Sequence, residues 1–177
     1  MGSHIFLATE RENMRKRYIL KAGVALVGAA WLSRYLPEKS GVMAASNNNF
    51  EINKTDEEWR KILTPEQFSV LRKHGTERAG TSSLDHQYGE GNYVCAGCDL
   101  PLFTSQTKFN SRTGWPSFYD PIPGAIATTT DKALFMTRVE VHCHRCGGHL
   151  GHVFDDGPAP TGKRYCMNGV SLKFIPS

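Results

Sequence analysis

The sequence lacks three features that would each indicate a class of function. The first is an excess of charge of one sign in the main part of the chain. The chain has 21 basic and 17 acidic residues, and residues 1–45 contain 7 of the basic and 3 of the acidic ones. The remaining residues therefore include 14 basic and 14 acidic residues and are formally neutral. This balance gives little electrostatic support to nucleic-acid binding. The most apolar stretch, residues 22–32, is 11 residues long, whereas about 20 are needed to span a bilayer. Apart from one duplicated cysteine motif, the chain contains no internal repeat.

The composition is that of one globular domain with an appendage. The chain has 177 residues, of which 40% are hydrophobic and 21% are charged. We divide it into a targeting segment over residues 1–45, a polar, Asn-rich linker over residues 46–54 and one domain over residues 55–177.

The first 45 residues have the pattern of an export segment. Basic residues 15–17 precede the apolar stretch of residues 22–32, whose length is typical of the h-region of a signal peptide. Residues 16–21 also resemble a twin-arginine export motif in which lysine replaces the first arginine. These patterns predict export to the periplasm or an equivalent lumen, and a mature form with no stable membrane span. A retained membrane anchor and a cytoplasmic location are the alternatives.

Local patterns in the domain predict a mainly β fold behind two short helices. Thr55 and Thr64 each begin a capping-box pattern, which predicts two consecutive helices, the second running to Lys73 or His74 and stopping at Gly75 as its C′ residue. Short apolar runs separated by turn residues follow, and this spacing predicts antiparallel strands. The runs lie at residues 93–94, 100–103, 125–130, 133–141 and 165–175. We therefore expect two antiparallel β-sheets with the helices confined to the start of the domain.

Four of the five cysteines form two C-x-x-C motifs that are separated by 44 residues. Each motif makes a turn whose two sulfurs converge, so two such turns complete a tetrahedral zinc site with Gly97 and Gly147 permitting the tight backbone. The predicted ligands are Cys95, Cys98, Cys143 and Cys146. Because a closed shell of four sulfurs leaves no position for substrate, this zinc would be structural. The alternative is a pair of disulfides or redox motifs, which an oxidising compartment would favour.

The fifth cysteine, Cys166, stands outside both motifs in a stretch rich in ionisable residues. A thiol becomes a nucleophile as the thiolate, which a nearby positive charge or hydrogen-bond donors stabilise. If residues 164–175 form a strand, Arg164, Cys166 and Asn168 share one face because alternate residues point the same way. This arrangement favours a reactive cysteine. The alternative is a cysteine that packs as a small buried hydrophobe.

Four motifs in order along the chain resemble those of the B-type methionine sulfoxide reductases. They are GWPSF at 114–118, HLGHVF at 149–154, DGP at 156–158 and RYCMN at 164–168. The resemblance extends from about residue 59 to residue 176. It implies an oxidoreductase that repairs oxidative damage by reducing the R epimer of methionine sulfoxide, mainly in proteins.

The resemblance also implies a role for each residue of the reaction. Cys166 would attack the sulfoxide sulfur and become a sulfenic acid, while His152, with His149 beside it, would protonate the departing oxygen. Asp156 would orient the two histidines or tune their charge. Two further residues, Arg164 and Asn168, would stabilise the thiolate and fix its surroundings.

The same resemblance implies that two aromatic residues bind the substrate. Trp115 follows a glycine and precedes a proline, and on sequence alone it reads as a core aromatic beside a turn. The resemblance instead makes it a wall for the methylthio end of the substrate, which exploits the attraction between sulfur and aromatic rings. Phe154 joins it as the second substrate-binding aromatic residue.

One departure from the family pattern concerns how the sulfenic acid is removed. Many relatives carry a second cysteine ahead of the GWP motif, whereas Thr113 takes that position here. The sequence therefore resembles a variant of the family with one catalytic cysteine. We expect thioredoxin or another thiol reductant as its partner, and we expect the protein to be a monomer. For the neighbouring Arg112, where relatives usually have glycine, three interpretations stay open: it lowers the pKa of the thiol, contacts substrate, or is simply solvated.

A different class of function stays open beside the enzyme. A zinc-stabilised β module could dock partner proteins with the same fold and no catalysis. The combination of His149, His152 and Cys166 argues against it, since a docking module needs none of them. A thiol oxidoreductase acting on disulfides is the third hypothesis, and it would need a resolving cysteine or a free C-x-x-C motif.

Overall fold

The computed structural model describes residues 50–133 and 136–177, with the side chains of residues 133–136 left aside. Residues 47–177 form one compact unit. The predicted targeting segment, residues 1–45, lies outside the described residues, as does the first half of the predicted linker. Within the described ranges, no helix combines the length and the apolar character needed to cross a membrane.

Two short helices open the domain, α1 over Asp56–Ile62 and α2 over Pro65–Lys73. Both begin at the predicted capping boxes, in which the threonine hydroxyl accepts from the N3 backbone N–H and the N3 side chain accepts from the threonine N–H. α2 ends at Lys73, as predicted, but His74 rather than Gly75 takes the left-handed conformation, with φ 54°. This turn directs the His74 imidazole to Glu140, whose carboxylate it contacts at 2.9 Å.

In the part of the chain that the structure describes, nine antiparallel strands form two sheets, which confirms the predicted fold class. The three-stranded sheet has the order β2-β1-β9 and the six-stranded sheet the order β3-β4-β8-β7-β6-β5. The strands are β1 Gly91–Cys95, β2 Pro101–Thr104, β3 Lys108–Phe109, β4 Ser117–Phe118, β5 Ile126–Ala133, β6 Met136–Cys143, β7 His149–Phe154, β8 Arg164–Met167 and β9 Leu172–Pro176.

The predicted single strand over residues 165–175 is two strands, one in each sheet. β8 ends at Met167, a 3₁₀ turn follows over Gly169–Ser171, and β9 then enters the three-stranded sheet. The carboxylate of Glu77 holds this turn, because its Oε2 accepts from Gly169 N at 2.6 Å and from the next backbone N–H at 3.3 Å. A residue about ninety positions away thus ends the strand, and a local pattern carries no sign of it.

The core lies between the two sheets and is largely aromatic. Phe103 of β2 stacks on Phe118 of β4 with ring centroids 4.3 Å apart, and Tyr93 of β1 meets Phe118 edge-on at 4.8 Å. All three side chains are fully buried, as is Trp59, which α1 contributes. Replacing one buried aromatic residue by alanine typically costs about 3–5 kcal/mol, so this contact between the sheets is a main source of stability.

Candidate active site

A row of polar side chains crosses the six-stranded sheet on the face opposite the core. Cys166 on β8 lies directly across from His152 on β7 and from Ser117 on β4, and His152 lies across from Glu140 on β6. Directly paired residues of antiparallel strands present their side chains on the same face. The next residue of β8, Met167, is fully buried in the core. The alternation of β8 therefore sets Cys166 among ionisable groups.

Hydroxyl groups surround the Cys166 thiol. Thr113 Oγ1 lies 3.9 Å from Cys166 Sγ, Ser111 Oγ lies 2.8 Å from Thr113 Oγ1, and Ser117 donates to Ser111 at 2.7 Å. Burial raises the pKa of Cys166 above its usual value. Hydrogen bonds from Thr113 and Ser117, together with the charge of Arg164, act in the opposite direction. The hydroxyl groups are a part of the site that the sequence interpretation missed.

Each of the two motif histidines is held by a carboxylate from the β5–β6 hairpin. His152 Nε2 lies 3.0 Å from Asp131 Oδ2, and His149 Nδ1 lies 2.7 Å from Glu140 Oε1. The two imidazole rings contact each other at a centroid distance of 5.4 Å. Burial lowers the pKa of His152 even though the bond to Asp131 acts to raise it.

Asp156, which the resemblance assigned to the histidines, pairs with Arg164 instead. The Arg164 guanidinium donates to both Asp156 oxygens, at 2.9 and 2.8 Å, and stacks over the Phe154 ring at 4.4 Å. The register of β7 and β8 explains this correction: Phe154 lies opposite Arg164, so the turn residue just beyond β7 reaches the guanidinium. Arg164 and Cys166 share a face, as the alternation of β8 predicts.

Glu140 is the most connected carboxylate of the site. Its Oε1 contacts His74 Nδ1 at 2.9 Å as well as His149, and its Oε2 accepts from Thr129 Oγ1 at 3.0 Å. Burial opposes ionisation of this carboxyl, but the hydrogen bonds from His149, His74 and Thr129 outweigh it and lower the pKa of Glu140. A cavity of about 350 Å³ lies beside these groups. Its lining includes His74, Asp131, Arg138, Glu140, His149 and His152.

Asn168 and Trp115 are both tied to Glu77, which lies in the connection between α2 and β1. Asn168 Oδ1 accepts from Glu77 N at 2.8 Å, and Asn168 Nδ2 donates to Leu150 O at 3.0 Å. Trp115 Nε1 donates to Glu77 O at 3.0 Å. Asn168 is buried, and the oxygen and the nitrogen of its side-chain amide each form a hydrogen bond with a backbone group. It therefore fixes the chain just after β8.

The four paired cysteines converge on one point. The sulfurs of Cys95 and Cys146 lie 3.7 Å apart, those of Cys98 and Cys143 lie 3.5 Å apart, and all four lie within 4.8 Å of one another. Sulfurs bound tetrahedrally at about 2.3 Å from a zinc ion are about 3.8 Å apart, so this set fits a metal ion. All five cysteines of the chain are free, and the disulfides considered above are not formed.

The two C-x-x-C turns have the same backbone geometry and connect the two sheets. Asp99 N donates to Cys95 O and Gly147 N donates to Cys143 O, each at 2.9 Å, and both donor residues have positive φ, 57° and 68°. Cys95 ends a strand of the three-stranded sheet and Cys143 ends a strand of the six-stranded sheet. Of the glycines predicted to relax these turns, only Gly147 is left-handed.

A family model described as the SelR domain matches residues 63–176. This chain belongs to the SelR domain family. The match confirms the resemblance drawn from the four motifs. Similar proteins named "Peptide methionine sulfoxide reductase MsrB" include one from Leptospira interrogans, 54% identical over 71% of this chain and 97% of its own length. Another, from Methanosarcina barkeri, is 57% identical over 70% of this chain and 87% of its own length.

A plant relative extends the similarity beyond microorganisms. "Peptide methionine sulfoxide reductase B2, chloroplastic" from Arabidopsis thaliana is 52% identical over 71% of this chain and 62% of its own length.

Within the SelR domain of this chain, Arg112 is exposed with φ 59°, a conformation that favours glycine, and its N–H donates to Asn110 Oδ1.

Proposed function

We propose that this chain reduces the R epimer of methionine sulfoxide, mainly in proteins, through a sulfenic acid on Cys166. The direct cross-strand pairing of Cys166 with His152 carries the proposal, because it sets a nucleophile beside a proton donor. The names of the relatives support the same chemistry.

In the proposed step the Cys166 thiolate attacks the sulfoxide sulfur while the oxygen takes a proton. The bond between that sulfur and its oxygen breaks, and the hydroxyl group ends on the cysteine sulfur as a sulfenic acid. The sulfoxide gains two electrons and becomes methionine, and the thiol loses the same two electrons.

His152 supplies the proton in this scheme. Burial lowers the pKa of His152, which makes its protonated form a stronger acid toward the sulfoxide oxygen. Asp131 orients the ring through its bond to Nε2. His149 packs against the ring of His152 and is itself held by Glu140, so it acts as a positioning residue.

Arg164 and two hydroxyl groups stabilise the thiolate in the proposed scheme. Burial alone keeps Cys166 protonated, and the charge of Arg164 with the hydrogen bonds of Thr113 and Ser117 opposes that effect. Asp156 holds the guanidinium of Arg164 by two hydrogen bonds. Asn168 is buried and its amide bonds to the backbone of Glu77 and Leu150, so we assign it the positioning of the residues after β8.

We further propose that Trp115 and Phe154 bind the methylthio group of the substrate. Phe154 lies two residues beyond His152 on β7 and therefore on the same face of the sheet. Trp115 is held in place by its hydrogen bond to Glu77 O, which leaves its ring as the contact surface. Sulfur–aromatic contacts contribute about 0.3–1.5 kcal/mol each, enough to orient a methionine side chain.

Zn²⁺ is the ion that we propose for Cys95, Cys98, Cys143 and Cys146. Four thiolates in tetrahedral array are a zinc ligand set, and the four sulfurs here lie within 4.8 Å of one another. When bound, the ion would be structural because no position is open. The ligand residues would hold the ends of β1 and β6 together.

An external thiol must remove the sulfenic acid in this proposal. The other four cysteines belong to the proposed zinc site, and the group in contact with Cys166 is the Thr113 hydroxyl. A thiol of thioredoxin or of another reductant would condense with the sulfenic acid, releasing water and forming a mixed disulfide with Cys166, and a second thiol would then release Cys166 by exchange. We propose that the enzyme acts as a monomer.

Export of the domain over residues 55–177, after removal of residues 1–45, is a separate proposal. A site split by 44 residues is best loaded with metal during folding, so a route that carries folded protein suits it. Cell fractionation of the full chain should give a form starting near Ala45 outside the cytoplasm. An intact N-terminus found only in the cytosol would exclude export.

The proposed function is tested with peptides that carry either the R or the S epimer of methionine sulfoxide. The chain should reduce the R peptide with a dithiol reductant and leave the S peptide unchanged. Cys166→Ser should abolish turnover and keep the fold and the zinc content. Turnover of the S epimer, substantial activity in Cys166→Ser, or no turnover by the wild-type chain would each contradict the proposal; the last result would favour a docking module.

A further inference from the structure

We propose that His74, Glu140 and His149 form a second metal site, which binds a divalent transition-metal ion such as Zn²⁺ and inhibits the reductase. His74 Nδ1 and His149 Nδ1 lie 2.9 and 2.7 Å from the same oxygen of Glu140. The three ligand atoms lie within 4.8 Å of one another. No residue of the Cys₄ cluster takes part.

The donor set matches the chemistry of an open zinc site. Two imidazole nitrogens and one carboxylate oxygen bind zinc in sites that keep a fourth position for water, and imidazole also suits nickel and copper. Ligand atoms about 2.0–2.1 Å from a tetrahedral ion are about 3.3 Å apart. The two distances to Glu140 therefore need to lengthen by about half an ångström, and the two imidazole nitrogens, within 4.8 Å of each other, need to come to the same spacing.

The three ligands differ in exposure in a way that suits entry of an ion from solvent. The His149 side chain is 3% exposed and that of Glu140 is 14% exposed, whereas that of His74 is 65% exposed. Glu140 and His149 project from paired strands, and the left-handed end of α2 brings His74 over them. Two ligands are thus fixed, and the third stands at the mouth of the site.

The adjoining cavity provides space for the water ligand and a path to solvent. It measures about 350 Å³ and is lined by the three ligands together with other groups of the site. Lys132 and Arg138 also line it and repel cations. Arg138 is paired with Asp131 at 2.6 Å, so the repulsion from its charge is partly neutralised.

Inhibition follows because His149 belongs both to the proposed metal site and to the active site. This part of the inference rests on the proposed function. An ion on His149 Nδ1 removes the bond by which Glu140 orients that ring. The His149 ring packs against His152, the proposed proton donor, at a centroid distance of 5.4 Å. A bound cation there also disfavours the protonated form of His152 by charge repulsion.

Zinc stoichiometry tests the site without reference to activity. The full chain, already holding its Cys₄ zinc, is dialysed against buffered Zn²⁺ and its metal content is measured. We expect two zinc ions per chain in the wild type and one in His74→Asn, because asparagine keeps the left-handed conformation but removes the ligand. His86→Asn, which removes an exposed histidine elsewhere, should still bind two.

Two results would overturn the site: one zinc per wild-type chain, or two in His74→Asn. Cys166→Ser separates the site from binding at the catalytic thiol, and it should retain the second zinc. Loss of the second zinc in that variant would assign it to Cys166 and overturn the proposal. Glu140→Gln is an independent ligand variant, for which we expect one zinc per chain.

Turnover of methionine sulfoxide then tests inhibition. Added Zn²⁺ should remove most of the wild-type and His86→Asn activity, and a chelator of free zinc should restore it. His74→Asn should be insensitive to added zinc, which is scored as the ratio of its own turnover with and without the ion. Equal inhibition of His74→Asn and wild type would overturn the regulatory role. No turnover of either epimer by any variant would contradict the proposed function, while the stoichiometry would still decide the metal site.

Discussion

The Thr113 hydroxyl is the most informative single group to remove from the site. It lies 3.9 Å from Cys166 Sγ and opposes the burial that raises the pKa of that thiol. Thr113→Val keeps the shape of the side chain and deletes the hydrogen bond. Thr113→Ser, the matched control, keeps the hydroxyl and deletes a methyl group.

The size of the effect follows from the energy of one hydrogen bond. The contact is long, so we assign it about 0.5–1.5 kcal/mol. One pH unit corresponds to about 1.36 kcal/mol, so the pKa of Cys166 should rise by about 0.4–1.1. The thiolate is the form of Cys166 that reacts with an alkylating reagent. The rate at which wild-type Cys166 is alkylated therefore rises with pH and levels off above the pKa of Cys166. Below that pKa, alkylation of Thr113→Val should be slower by about 2.5-fold to 13-fold.

The assay is the pH dependence of the alkylation rate of Cys166 by iodoacetamide, followed by peptide mass spectrometry. Alkylation reports the thiolate directly and needs no substrate. We expect the midpoint of the profile to move to higher pH in Thr113→Val and to stay near the wild-type value in Thr113→Ser. An unmoved midpoint in Thr113→Val, with the fold intact, would refute the idea that this hydroxyl stabilises the thiolate.

Three further predictions concern the groups around the site. Glu77→Ala should lower the free energy of unfolding in urea by about 1–3 kcal/mol, because two backbone N–H groups lose their acceptor, and Glu77→Gln should lose less. Thr113→Cys should form a disulfide with Cys166 after one turnover, seen as two free thiols fewer in a thiol titration; unchanged thiol counts would contradict the proximity. Cys98→Ser should lose the bound metal by elemental analysis and melt at a lower temperature, since a structural zinc contributes folding free energy; a metal-replete variant would exclude that ligand.

The parts of the fold that the sequence predicted correctly depend on neighbours along the chain. The capping boxes at Thr55 and Thr64 act over three residues, and both helices begin where these patterns predict. The cysteine pairs were also predictable, because each C-x-x-C motif fixes its own turn and the duplication indicates a partner. The short strands were predictable for the same reason, because each apolar run and the turn residues that bound it are neighbours along the chain.

The parts that the sequence did not predict depend on contacts between distant residues. The 3₁₀ turn after Met167 is held by Glu77, and the left-handed His74 reaches a carboxylate 66 positions away. The acidic partners of the histidines, Asp131 and Glu140, come from the β5–β6 hairpin. Their contacts depend on the register of β6 and β7, which no motif records, so the sequence interpretation named the nearer Asp156, which pairs with Arg164.

A single turnover without reductant is the most direct test of the central claim. The wild-type chain, reduced and freed of thiols, is mixed with excess R-methionine sulfoxide peptide, and both the methionine peptide and the Cys166 peptide are measured. We predict one methionine per chain, after which the reaction stops with Cys166 trapped as a sulfenic acid by a dimedone reagent. Methionine formed while Cys166 remains an unmodified thiol, or formed equally by Cys166→Ser, would contradict the account.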